Sequence, residues 1–108
     1  TYGYDFENGR FDDDTRWTMR LQALLGDGYR IIEEGLNGRT FIFDDPTEGG
    51  HKSGMKYLPP CLMSHNPLDL VVLMLGTNDT KERFGMNATT IAQCAQHLED
   101  HGHTRLVV

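Results

Sequence analysis

Leu68-Asp69-Leu70-Val71-Val72-Leu73-Met74-Leu75, followed at once by Gly76-Thr77-Asn78-Asp79, is the stretch on which the fold turns. Apart from Asp69, every position up to Leu75 is apolar, the signature of a strand buried on both faces, as in a parallel sheet. Downstream, residues 88–101 put Ile91, Ala95 and Leu98 on one helical face, Gly102 ends the helix, and 106–108 begin another buried strand. Upstream, a short helix is expected over 58–65, with Pro59 and Pro60 tolerated in its first turn. Residues 29–33 read as a strand centred on Ile31 and Ile32. Trp17, Leu21, Leu24 and Leu25 form the apolar face of an earlier helix, stopped by Gly26. Asp12, Asp13 and Asp14 could be a metal-binding carboxylate cluster, but they read better as caps that complement the positive end of that helix. The long loop 35–54 carries Asp44-Asp45-Pro46 and Gly49-Gly50 as turn chemistry. Helix, strand, helix, strand, helix, strand is the order of an α/β sandwich with a largely parallel sheet. Ligands of such folds sit outside the carboxyl ends of the strands. Chemistry is therefore expected just after Glu33 and just after Leu75.

Composition narrows the function. The chain has 108 residues, and ten basic against sixteen acidic residues give a net charge of −6. That argues against nucleic acid, which requires a basic face. The longest apolar run, 70–75, falls far short of the roughly 18 residues of a membrane span. With 38% hydrophobic residues the chain can build a core, so disorder is not expected. Two cysteines, Cys61 and Cys94, read as separate thiols rather than a disulfide framework. No targeting segment is visible, and a cytoplasmic location is expected. The first residue is Thr1 rather than Met and the last is Val108 in an apolar run, so residues 1–108 read as one partial domain cut from something longer. Self-association into a homo-oligomer stays open.

Two loops carry the chemistry. In Gly76-Thr77-Asn78-Asp79 the glycine lets the backbone turn sharply, and the asparagine offers N–H donors at the strand's mouth. Read blandly, Asp79 and Glu82 form a capping pair for a short helix. The other loop, Glu33-Glu34-Gly35-Leu36-Asn37-Gly38-Arg39-Thr40, has two glycines that permit close approach of a ligand to exposed N–H groups.

Taken together, these loops resemble the second and third motif blocks of the SGNH hydrolases, also called GDSL-like esterases. The intervening Asp44-Asp45-Pro46-Thr47 and Tyr57-Leu58-Pro59-Pro60-Cys61-Leu62 are similar to the arylesterase-like branch. The resemblance runs over nearly the whole chain. It implies a three-layer α/β/α sandwich with a flavodoxin-like parallel sheet, here lacking its first and last strands. It also implies a serine esterase, hydrolysing or acyl-transferring small carboxylic esters without a cofactor. In the family a serine attacks the ester carbonyl, a histidine takes its proton, and an aspartate orients the histidine. The oxyanion is held by the serine N–H, a glycine N–H of the second block and the asparagine amide of the third. Gly38 matches that glycine, with Gly35 the weaker candidate, and Asn78 matches the asparagine. Family analogy places Tyr2 and Tyr4 near the acyl pocket, and Gly76 and Thr77 along the substrate.

The family's Gly-Asp-Ser block is absent, and Thr1-Tyr2-Gly3-Tyr4 resembles the stretch directly after that block. Neither Ser53 nor Ser64 fits the nucleophile by context. Asp100-His101-Gly102-His103 matches the family's terminal Asp-x-x-His in form, but it ends a helix before a strand instead of coming after the last one. The 108 residues alone are thus expected to be inert, and marginal or aggregation-prone without a central first strand. A non-catalytic α/β domain binding a small molecule or a partner is the alternative. A third reading is a metal site of His97 and His101 with His103 or Asp100, against which stands a polar helix end suited to the helix dipole. His51 falls in a loop and His65 at a helix end. Two glycosylation sequons, Asn78-Asp79-Thr80 and Asn87-Ala88-Thr89, complete the motifs; a glycan on Asn78 would block the amide that the esterase reading uses.

Overall fold

A computed structural model describes residues 2–99 and 105–107. They fall into two compact units, Thr1–Asn37 and Gly38–Val108.

In the first unit, α1 spans Trp17–Leu25 and stops at Gly26, whose N–H donates to Gln22 O. The aspartates do not cap it. Arg16 occupies the N-cap position with no side-chain cap bond, because Asp12 Oδ1 accepts instead from the Thr15 N–H, 3.0 Å away, and closes the turn before the helix. Glu33 ties the unit together. Arg16 donates to it through Nε and Nη2, each at 2.9 Å, and Thr18 Oγ1 also donates to it. The strand expected over 29–33 is not paired with any strand among the described residues. The Gln22 carboxamide serves its backbone instead, donating to Tyr29 O at 2.8 Å and accepting from the Ile31 N–H at 2.6 Å. A ladder needs a second strand, and one side chain supplies only two of its bonds.

In the second unit, α2 (Gly54–His65) starts earlier than its sequence suggests and carries Pro59 and Pro60 in its interior, not in its first turn. Its start is set by three bonds. The Gly54 and Met55 amides donate to Thr40 O (2.8 Å) and Phe41 O (2.7 Å), and Ser53 Oγ accepts from the Lys56 N–H at 3.3 Å. The prolines remove two amide donors from the ladder, a loss that this anchored start tolerates. β1 is only Leu70–Val72, and it pairs in parallel with β2 (Arg105–Val107), Val71 opposite Leu106. The parallel pairing agrees with expectation, but burial of β1 on both faces does not. Leu70 and Val72 remain about half exposed, because the described sheet has just these two strands. Between them runs α3 (Ala88–Glu99). The expected helix end at Gly102, and Val108, lie outside the described residues.

The core of this unit is Phe41, Leu73 and Leu98, with Met55, Leu58, Leu75, Ile91 and Cys94 packed against it. It therefore joins the 40–42 segment, α2, the exit of β1 and α3. No helix among the described residues is long and apolar enough to cross a membrane.

Candidate active site

Behind β1 the chain leaves through Gly76, which adopts φ 116°, a backbone conformation side chains oppose. The Asp79 N–H donates back to Gly76 O at 3.0 Å, and residues Asn78–Thr80 form one 3₁₀ turn. That turn presents two neighbouring side chains to a single strip of backbone. Asn78 Nδ2 donates to Arg39 O at 3.1 Å. Asp79 Oδ1 accepts from the Phe41 N–H at 2.9 Å. A carboxamide nitrogen carries two hydrogens, so Asn78 keeps a second donor for another acceptor. Asp79 is not a helix cap: it is fully buried, and the short 82–84 turn has Lys81 at its N-cap position.

Gly38 lies one residue before the carbonyl that Asn78 grips. It is buried, with φ 78°. A Cβ there would fall 2.1 Å from Glu48 Oε2. Its left-handed dihedral favours glycine at this position, and any larger residue would also have to push the Glu48 carboxylate aside. Glu48 in turn belongs to a charged cluster that reads in sequence as simple turn chemistry. The buried Asp45 accepts from the Thr47 N–H (3.2 Å) and Oγ1 (2.7 Å), from Lys81 Nζ (3.4 Å) and from Arg83 Nε (3.2 Å). Lys81 and Arg83 also reach Glu48. The Arg83 guanidinium, helped by Thr47 and Lys81, holds the Asp45 carboxyl well below the usual carboxylate range although burial opposes this. Phe43 and Phe84 stack with ring centroids 4.6 Å apart in the same neighbourhood. The cluster thus clamps the 43–48 loop to the 81–84 loop.

Other expected residues serve local structure. Thr77 is exposed, and its carbonyl accepts from Thr80 Oγ1 at 2.7 Å. Tyr2 and Tyr4 belong to the first unit. The Tyr2 ring lies 4.8 Å from the Arg10 guanidinium, and Tyr4 meets Phe6 edge-on at 5.2 Å. Ser53 caps α2, while Ser64 Oγ donates to Pro60 O at 2.8 Å. Ser53 also lines an open hollow of about 340 Å³ with Asp44, His51, Lys56 and Tyr57. His97 is on an exposed side of α3, but Asp100, His101 and His103 lie outside the described residues. Cys94 has its thiol pushed up by burial, and further by the Asp79 charge.

No family model matches the chain, and no curated protein does. Solved structures do. Est24, a carbohydrate acetylesterase from Sinorhizobium meliloti, is 44% identical, with TM-score 0.85 over 94% of this chain and 49% of its own. The M. smegmatis aryl esterase is 45% identical, with TM-score 0.85 over 93% of this chain and 48% of its own. A second carbohydrate acetylesterase family member from S. meliloti is 40% identical, with TM-score 0.85 over 93% and 47%. Fold and sequence therefore define the class, that of the SGNH hydrolases, to which this chain belongs. Within it, the chain falls in the arylesterase-like branch. It spans about half the length of the solved esterases it matches.

Proposed function

We propose that this chain carries the oxyanion-binding part of a serine ester hydrolase. Asn78 Nδ2 and the Gly38 N–H are its two donors, and the nucleophilic serine N–H is the third. The serine and its Asp/His pair come from sequence beyond these 108 residues. The observation that carries the reading is the 3.1 Å bond from Asn78 to Arg39 O, which brings the asparagine to the glycine's own turn. Attack of the serine oxygen on an ester carbonyl moves a full charge onto the carbonyl oxygen. Neutral donors fixed beforehand stabilise that charge without reorganising. Collapse expels the alcohol and leaves an acyl-enzyme, which water hydrolyses or a second alcohol takes over.

The same reading gives the whole protein the three-layer sandwich and flavodoxin-like sheet, with β1 as one of its inner strands. Tyr2 and Tyr4 border the acyl group, and Gly76 and Thr77 border the substrate. Est24's description as a carbohydrate acetylesterase and the M. smegmatis protein's as an aryl esterase favour small acyl groups. Hydrolysis of p-nitrophenyl acetate by the whole protein tests this. Asn78→Ala should lower kcat about 10²–10³-fold. An unchanged kcat in that variant refutes the reading.

A further inference from the structure

We propose that Asp79 is a positioning residue for this reaction: by accepting the Phe41 amide, its buried carboxyl group locks the Gly76–Thr80 turn to the 38–41 segment. Asn78 and Gly38 are thereby held in one register. The inference rests on the reading of those two residues as oxyanion donors.

Three observations support it. First, successive residues of one turn grip alternate residues of one strip, Asn78 on Arg39 O and Asp79 on the Phe41 N–H. Either bond alone would leave the strip free to pivot, whereas two fix both its distance and its orientation. Second, Phe41 is a core residue, 2% exposed, so the strip that Asp79 grips is anchored to the packed interior. Third, the carboxyl is costly where it stands. It is fully buried, and Oδ2 has no hydrogen bond of good geometry among the described residues. A surface cap could do a merely local job without that penalty. Burial outweighs the Phe41 amide and pushes the group above the usual carboxylate range.

The test uses the whole protein and p-nitrophenyl acetate, with kcat expressed per serine titrated by a covalent organophosphate. That quantity ignores any fraction that fails to fold. Asp79→Ala should lose about 10- to 100-fold in kcat per titrated site, with KM within about twofold, because misplaced donors act on the transition state. Asp79→Asn, which keeps an acceptor for the Phe41 amide, should stay within about threefold of the parent. Unchanged kcat in Asp79→Ala overturns the proposal, as does an Asp79→Asn loss equal to that of alanine. Should Asp79→Ala yield no titratable sites, Asp79→Glu decides instead, since its carboxyl is displaced by one methylene and the same kcat loss is expected. Asn78→Ala is run alongside. If it keeps full activity the oxyanion reading itself fails, whereas its loss beside an unaffected Asp79→Ala refutes only the role of Asp79.

Discussion

Asp45 and Asp79 are both 0% exposed, yet their surroundings drive them in opposite directions. Asp45 meets Arg83, Thr47 and Lys81 and is held low, whereas at Asp79 burial outweighs the backbone amides and raises the carboxyl. A carboxyl whose folded pKa is depressed stabilises the fold above its unfolded value, here near 3.8. That stability is lost as pH falls below it, where the unfolded chain takes up more protons. Asp45→Asn should therefore lower the melting temperature near pH 7, and the gap from the parent should hold until the pH nears 3.8 and shrink below it. Thermal melts across that range check it, and a gap independent of pH refutes the ion-pair account. Asp79 has the reverse sign. Its raised pKa favours folding below the unfolded value and works against it as pH rises through the folded value. Asp79→Asn should thus gain stability relative to the parent as pH rises from 4 to 8, read from the same melts.

The helices depend on particular side chains. Leu98, fully buried on α3, packs against Phe41 and Leu73. Leu98→Ala should cost about 2–5 kcal/mol in urea unfolding, the range for a leucine cavity that closes only in part. α2 depends on its first turn, since Pro59 and Pro60 weaken its interior. Ser53→Ala removes the acceptor for the Lys56 amide and should cost about 1 kcal/mol. Fluorescence-monitored denaturation measures both. A Ser53 effect as large as that of Leu98 would show that the serine does more than cap.

Leu70, Val72 and Met74 alternate along one face of β1 and its continuation, and they are 53%, 50% and 58% exposed. Such a row beside open backbone groups invites pairing with another chain. The isolated 108-residue chain should therefore associate as its concentration rises, giving a light-scattering mass above 12.2 kDa. Leu70→Lys with Val72→Lys should suppress this. A monomer of the parent chain at every concentration tested refutes the expectation.

Local pattern determined what depends on neighbours in the chain. Apolar spacing marked α1 and α3, the 68–75 run marked β1, and Gly76-Thr77-Asn78-Asp79 with Gly38 marked the two turns. These are short-range consequences of side-chain period and backbone freedom. Tertiary structure decided what depends on partners distant in sequence. Residues 29–33 bond Gln22 rather than a strand, Asp79 grips Phe41 rather than capping a helix, and Asp45 draws on Arg83. A carboxyl group looks the same in sequence whether it caps, pairs or lies buried. Only the groups that folding brings within about 3 Å determine which it does.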